Sequence, residues 1–387
     1  MKKTITDYQY QNKTVIIRCD LNVPIENGII TDDTRIKESL KSIEYLLEQG
    51  AKVIVLSHLG KVKTENDKLT NSLKPVYERL KLLLNYPIYF SMETRGEELE
   101  TKIANLKQKE VLLVENTRYE DIEGKKESSC DDELSRYWAQ FADIYINDAY
   151  GTCHRSHASN VGISKILPSA IGFLVEKEIS KLNEIMNEPT NPFIVIVGGK
   201  KISDKTLVIE HLITKCDKIL IGGGMCFTFL KALGINVGAS IVDNDNIEFC
   251  QKILSRYNDK IVLPIDIVTQ NNSIKDIFSL SKDDIGYDIG PKTIEIFKNN
   301  LAQAKRVVVN GPMGVFEDER FSKGTDAIYK YLEANDIKTL IGGGDSAASV
   351  NMLGYKDSFF HISTGGGATL DYLSGKSLPG IDLVNEK

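Results

Sequence analysis

The sequence has 387 residues, enough for two domains with separate cores, and its 42% hydrophobic and 26% charged content is that of a globular chain. A net charge of −6 argues against a nucleic-acid binder, whose footprint is a basic face. The six cysteines (Cys19, Cys130, Cys153, Cys216, Cys226, Cys250) form no C-x-x-C pair, so they read as reduced, packed thiols rather than a disulfide or zinc scaffold. No apolar segment follows Met1-Lys2-Lys3 and no membrane span is evident, which places the chain in the cytoplasm.

In chain order, apolar runs predict strands at Thr14–Arg18, Lys52–Leu56, Pro87–Phe90, Val111–Val114 and Asp143–Ile146. Helical periodicity fills the gaps, as over Asp33–Gln49 with Gly50 just past its end. This alternation implies a parallel sheet covered on both faces by helices. The conspicuous polar residues come just after the strands: Asp20 and Asn22, Ser57 and His58, Asn116 and Arg118, then Asp148, His154, Arg155 and His157. In an open parallel sheet those loops share one edge, where such folds bind ligands. Arginines and histidines converging there, with Arg35 at the start of the first helix, suit a small polyanion.

Between Ile171 and Pro189 a helical stretch joins this half to a second strand–helix series. Its strands are predicted at Phe193–Val197, Lys218–Ile221, Lys260–Leu263, Arg306–Val309, Lys338–Ile341 and Phe359–Ile362. One βα unit recurs, running from Lys218 through Gly222-Gly223-Gly224 to Leu233-Gly234 and from Lys338 through Gly342-Gly343-Gly344 to Leu353-Gly354. Such a repeat suggests a doubly wound sheet.

The stretch Val197-Gly198-Gly199-Lys200-Lys201-Ile202-Ser203-Asp204-Lys205 ends a buried strand on two glycines and a lysine pair, with a helix predicted from near Ser203. A phosphate fits there, because glycine lets the backbone approach an anion and a helix start supplies N–H groups; a turn with solvated lysines would look the same. Further glycine turns occur at Gly290-Pro291, Gly311-Pro312-Met313-Gly314 and Gly365-Gly366-Gly367. Asp345, after the triple glycine, is either a Mg²⁺ ligand or a helix cap. Walker A, protein-kinase, nucleophile-elbow and zincin patterns are absent, the nearest miss being Gly375-Lys376-Ser377 with Leu370 where glycine is required.

Taken together, Asp20-Leu-Asn-Val-Pro, Thr34-Arg-Ile, Ser57-His-Leu-Gly, Glu115-Asn-Thr-Arg, Asp148-Ala-Tyr-Gly-Thr-Cys-His-Arg-Ser-His, Gly198-Gly-Lys-Lys-Ile-Ser-Asp-Lys, Asn310-Gly-Pro-Met-Gly-Val-Phe-Glu, Gly342-Gly-Gly-Asp-Ser and Ser363-Thr-Gly-Gly-Gly-Ala resemble the phosphoglycerate kinase family over essentially the whole chain. The resemblance implies an α/β fold of two Rossmann-like, doubly wound parallel-sheet domains joined by an interdomain helix. The implied divisions are 1–170 for the triose, with the tail 376–387 packing back on it, 171–189 for the helix and linker, and 190–375 for the nucleotide. The implied activity is that of a phosphotransferase with a carboxyl acceptor: 1,3-bisphosphoglycerate and ADP exchange for 3-phosphoglycerate and ATP, with Mg²⁺ arriving as Mg-ATP or Mg-ADP. It implies a monomer acting in glycolysis, with hinge-bending closure and no nucleic-acid or membrane partner. By the same resemblance Asp20, Asn22, Arg35, His58, Lys61, Arg118 and Arg155 hold the triose. Lys201, Lys205, Gly290, Asn310, Glu317, Gly342, Gly343, Gly344, Asp345 and Ser346 hold the nucleotide, Asp345 serves the metal together with the nucleotide phosphates, and Arg35, Lys201, Gly343 and Gly366 act on the transferring phosphoryl group.

The residue inventory agrees with that chemistry. A carboxylate acceptor is ionised at neutral pH and needs no general base, whereas the phosphoryl group needs cations and backbone N–H donors around its three oxygens. The chain departs from the family at Lys61-Val62, where Arg-Pro is usual, and at Lys200, where alanine is usual. Tyr150, Leu21 and Val309 also replace common aromatic residues. The competing readings are a kinase for another small carboxylate and an inactive nucleotide-binding relative.

Overall fold

In the computed structural model, which describes residues 1–387, the chain divides into two compact units. The first is Met1–Ile179 together with Ser377–Lys387, and the second is Ser180–Lys376. The division falls within the helix Phe173–Asn187.

The first unit is built on six parallel strands: β1 (Thr14–Cys19), β2 (Lys52–Leu56), β3 (Ile88–Ser91), β4 (Val111–Val114), β5 (Ile144–Asp148) and β6 (Ser169–Ile171). They lie in the order β3-β4-β2-β1-β5-β6. Alternate residues feed two separate cores. Val15, Ile17, Val53, Val55 and Leu113 pack on one face, and Ile16, Ile54, Leu112 and Tyr145 pack with Trp138 on the other. Burial on both sides is why these strands read as continuous apolar runs. The helix Thr34–Glu48 covers one face with Ile36, Ile43, Leu46 and Leu47, and Gly50 ends it at φ +83°.

The second unit holds β7 (Phe193–Val197), β8 (Lys218–Ile221), β9 (Ile261–Val262), β10 (Asp266–Thr269), β11 (Ile274–Asp276), β12 (Gly286–Ile289), β13 (Arg306–Asn310), β14 (Lys338–Ile341) and β15 (His361–Ile362). Its parallel sheet runs β9-β8-β7-β13-β14-β15, which is 3-2-1-4-5-6 counted within the sheet, the doubly wound Rossmann order. The winding reverses between β7 and β13, where Val197 pairs with Asn310. In the first sheet β1 and β5 meet in the same way, with Cys19 beside Asp148. The two copies of the repeat are β8 and β14, which flank the β7–β13 pair.

Several elements differ from the sequence reading. The strands expected at Lys260–Leu263 and Phe359–Ile362 shorten to Ile261–Val262 and His361–Ile362. β6 and the antiparallel sheet β11-β10-β12 were not anticipated, nor was the small hairpin Ile25–Glu26/Ile29–Ile30. That hairpin turns on Asn27 and Gly28, both at positive φ, which is a strong local signal for it. The helix expected from near Ser203 begins only at Thr206. The Ser203 amide instead donates to Asp243 Oδ2 at 3.2 Å and the Lys205 amide to the Ile202 carbonyl at 2.8 Å, so these residues form a turn. No helix is long and apolar enough to cross a membrane.

Candidate functional site

At the carboxyl ends of the first sheet, the loops are tied together by side chain to backbone bonds. Asn22 Oδ1 accepts from the Gly60 amide at 2.8 Å, joining the loops after β1 and β2. Asn116 donates to the Leu59 and Asn71 carbonyls, both at 2.7 Å, and accepts from the Arg118 amide at 3.0 Å. Arg35 reaches from its helix to Asp20, Nη1 to Oδ2 at 2.8 Å, with the carboxylate buried. His58 and Arg118 are buried in the same loop cluster, whereas Lys61 and Arg155 are exposed. Arg118 Nη1 lies 3.6 Å from Asp121, and its buried Nε has no hydrogen-bond partner. An orphaned guanidinium N–H among strand-end loops is a group that a bound anion would satisfy.

Beneath these residues lies a buried layer that the sequence reading passed over. Arg18, on β1, is fully buried: Nε donates to Ser159 Oγ at 2.8 Å, Nη1 to the Cys19 carbonyl at 2.6 Å, and Nη2 to His58 Nδ1 at 3.1 Å. Glu127, also fully buried, accepts from the Ser159 amide at 2.9 Å, Ser159 Oγ at 2.5 Å and Thr117 Oγ1 at 3.1 Å. Burial, reinforced by Arg18 and Arg118, holds the His58 pKa well below the ordinary histidine value. The same causes push His157 down to about 3. Both imidazoles are therefore neutral near pH 7 and act as hydrogen-bonding groups. An arginine inside an apolar strand was the available signal for this layer. Glu127 gave none, since Glu123-Gly-Lys-Lys-Glu127 reads as a solvated charge run.

Asp148 has a structural task. Its buried carboxyl, pushed up to about 6 by burial, accepts from the Leu174 and Val175 amides at 2.8 and 3.3 Å and so caps the helix Phe173–Asn187. A cavity of about 320 Å³ in this unit, lined in part by Lys68, Arg95, Tyr119 and Glu120, includes none of the expected site residues.

In the second unit the glycines sort into two kinds. A Cβ on Gly198 would lie 2.0 Å from the Pro312 carbonyl oxygen, one on Gly311 2.2 Å from the Gly198 oxygen, and one on Gly223 2.5 Å from the Gly199 nitrogen. These three turns interlock backbone against backbone, joined by bonds from Gly199 N to Pro312 O and from Gly223 N to Met313 O, both 2.9 Å. Gly344 and Gly366, in contrast, would meet nothing within 4 Å. Gly343 and Gly366 are the N-caps of helices Gly344–Met352 and Gly367–Leu373, and neither end carries a side-chain cap. Their first amides are unclaimed by side chains, the condition for receiving an anion.

The remaining expected residues are placed unequally. Lys205 Nζ donates to Asn310 Oδ1, and Asn310 Nδ2 donates to the Gly342 carbonyl at 3.0 Å, a chain running from the lysine turn to the triple glycine. Burial, opposed by Asp345 and Asp204, lowers Lys205 to about 8. Lys200, Lys201, Glu317 and Asp345 are exposed. Ser346 is buried and accepts from the Gly311 amide at 2.6 Å, so its hydroxyl fastens the loop after β13. Gly290 caps the helix Pro291–Leu301, but Asp266 already takes the amides of Lys292 and Thr293 at 3.0 and 2.8 Å. A Cβ at Gly290 would strike that carboxylate, so this glycine serves close packing. No group of three or more His, Cys, Asp or Glu could hold a metal ion by itself.

Comparison with known proteins agrees over the full length. The family model described as Phosphoglycerate kinase matches residues 5–376. The chain is 51% identical over 395 residues to the phosphoglycerate kinase of Enterococcus faecalis and 52% identical over 398 residues to that of Fusobacterium nucleatum, each comparison covering 100% of both chains. Its fold is similar to the structure of phosphoglycerate kinase from Coxiella burnetii, with a TM-score of 0.89 at 32% identity over 99% of each chain. It is also similar to the Pyrococcus horikoshii OT3 structure, with a TM-score of 0.85 at 32% identity over 99% of this chain and 98% of that one.

Proposed function

The chain belongs to the phosphoglycerate kinase family, and from that premise we propose that its first unit holds 3-phosphoglycerate or 1,3-bisphosphoglycerate and its second holds Mg-ATP or Mg-ADP. The enzyme transfers a phosphoryl group reversibly between the carboxylate of 3-phosphoglycerate and ADP. In the ATP-consuming direction a carboxylate oxygen attacks the γ-phosphorus as the bond to the β,γ-bridging oxygen breaks, and no proton need move. Arg35, oriented by Asp20, and His58, Arg118 and Arg155 meet the triose anion. Asn22 positions the Gly60 turn, which leads to Lys61 at the exposed rim.

On the nucleotide side, Lys205 and Lys201 face the phosphates, with Glu317 and Asn310 holding the remainder of the nucleotide. The unclaimed amides at Gly343, Gly344 and Gly366 close on the transferring group, where preorganised donors lower the barrier most. Asp345 is exposed in the first turn after the open triple glycine, and one carboxylate beside phosphate and water oxygens is a donor set that suits Mg²⁺. The ion therefore arrives with the nucleotide. Reaction requires the two bound substrates to be brought together with water excluded, since water would hydrolyse the acyl phosphate. A monomeric, cytoplasmic enzyme completes the reading.

The observation that carries this assignment is the chain of contacts Lys205–Asn310–Gly342, which links the lysine turn to the triple glycine at the point where the second sheet reverses. It is tested by coupled turnover of 3-phosphoglycerate and Mg-ATP in wild type, Lys201→Ala and Lys200→Ala. Turnover collapses in Lys201→Ala and survives in Lys200→Ala if the lysine register is right. Equal loss in both variants refutes the register, and no turnover by folded wild type refutes the substrate assignment.

A further inference from the structure

We propose that Glu127, Ser159 and Arg18 form a buried positioning relay that fixes the tautomer of His58 and thereby presents its Nε2–H to the bound triose. A guanidinium has five N–H donors and no acceptor, so the 3.1 Å contact between Arg18 Nη2 and His58 Nδ1 has one sense only. Nδ1 must accept, and in a neutral ring the proton then sits on Nε2. The imidazole is held neutral by its burial among arginines, so it cannot carry a proton on both nitrogens.

Arg18 is aimed from its other edge. Its Nε donates to Ser159 Oγ, which in turn donates a hydrogen bond to Glu127 Oε1, while Glu127 Oε2 accepts from the Ser159 amide. The serine hydroxyl thus accepts from the cation and donates to the carboxylate, its only arrangement that satisfies both. Glu127 supplies the negative charge that keeps a fully buried guanidinium tolerable, since a buried cation without a compensating partner is strongly disfavoured. His157 Nδ1 stands 3.7 Å from Glu127 Oε1 and borders the same layer. All four members come from different segments: β1, the loop after β2, the loop preceding the helix Asp132–Ala139, and the turn after His157. The relay therefore reports whether the strand ends of the first unit are correctly assembled.

This inference rests on the reading that His58 meets the triose, and the experiment separates the two. In the full-length enzyme, the ring nitrogens of His58 are observed by ¹⁵N NMR in wild type, Ser159→Ala and Glu127→Gln, alongside steady-state kinetics for each substrate. Wild type shows a pyridine-like Nδ1 and a pyrrole-like Nε2. Ser159→Ala, which keeps the fold volume and removes only the hydroxyl, shifts the two signals toward each other as tautomers mix. KM for 3-phosphoglycerate then rises by about two- to tenfold, as the competent fraction of His58 falls, and KM for Mg-ATP stays unchanged. Ser159→Thr, which restores the hydroxyl, recovers the wild-type spectrum.

A protonated Nδ1 in wild type, or unchanged His58 signals in both folded variants, overturns the relay. Altered signals with an unmoved triose KM sustain the relay and refute instead the placement of His58 against the triose. Should Glu127→Gln fail to fold, Ser159→Ala alone decides the matter.

Discussion

Substituting alanine at Gly198 and at Gly344 separates packing glycines from ligand-facing ones. At Gly198 the new Cβ would sit 2.0 Å from the Pro312 carbonyl oxygen, about 1.5 Å inside an ordinary contact of about 3.5 Å. The obstacle is backbone of an interlocked turn, so relief requires moving the whole turn and stretching the bond from Gly199 N to Pro312 O. Overpacking at about 1–3 kcal/mol and one weakened hydrogen bond at about 1 kcal/mol give a loss of about 2–4 kcal/mol. For a unit of this size that lowers Tm by on the order of 10 °C. At Gly344 the methyl meets nothing within 4 Å, and alanine in a helix is favoured over glycine by up to about 1 kcal/mol. Gly344→Ala therefore keeps or gains stability, while kcat/KM for the nucleotide falls by on the order of 10- to 100-fold through loss of a charge-assisted bond. Calorimetry and the coupled assay measure both quantities. A Gly198→Ala enzyme as stable as wild type, or a fully active Gly344→Ala enzyme, refutes the division.

Three other outcomes are expected. His157 is held near 3 against an unfolded value of 6.5, so the unfolded chain binds the extra proton first and stability is lost as pH falls below 6.5. At pH 5 that amounts to about 2 kcal/mol, and urea titrations of His157→Gln at pH 7 and pH 5 should differ by about that much less than wild type. Lys205 loses its charge as pH rises through about 8, so KM for Mg-ATP climbs above that pH. Lys205→Arg, always charged, gives a higher but flat profile, and a parallel rise in both enzymes would assign the titration elsewhere. Deleting residues 377–387 removes Leu378, Ile381 and Val384 from burial, together with the 2.7 Å bonds from Asn147 to the Gly380 carbonyl and from the Ser169 amide to Asn385. At about 1.5–3 kcal/mol per side chain the first unit weakens by on the order of 5 kcal/mol, read as a lowered urea midpoint for that unit alone.

The longer parallel strands were legible because both faces are buried, which leaves uninterrupted runs such as Phe193–Val197, whereas β6, equally buried and parallel, spans only three residues. β10 to β12 were not: β11 is three residues with Ile274 exposed, and the charged Asp266 and Asp288 interrupt the apolar runs of β10 and β12. The charged groups after each strand could be found by position alone. What sequence could not distinguish was purpose among glycines. Gly290 and Gly311 look like phosphate turns, yet one accommodates Asp266 and the other the backbone of Gly198. Similarly, Ser346 reads as a ligand beside Asp345, but helical geometry turns it inward to Gly311 and leaves Asp345 exposed. The role of Arg18 is not local in sequence, because it depends on Ser159 and Glu127, more than 100 positions away.

The first unit begins at Met1 but is completed only by Ser377–Lys387, whereas the second is one uninterrupted segment. On a ribosome, the earlier-made unit waits for its last strip until all of residues 180–376 have been synthesised. Synthesis from the N-terminus therefore does not dictate folding from the N-terminus. The half that emerges first spends translation with the surface destined for Leu378, Ile381 and Val384 uncovered.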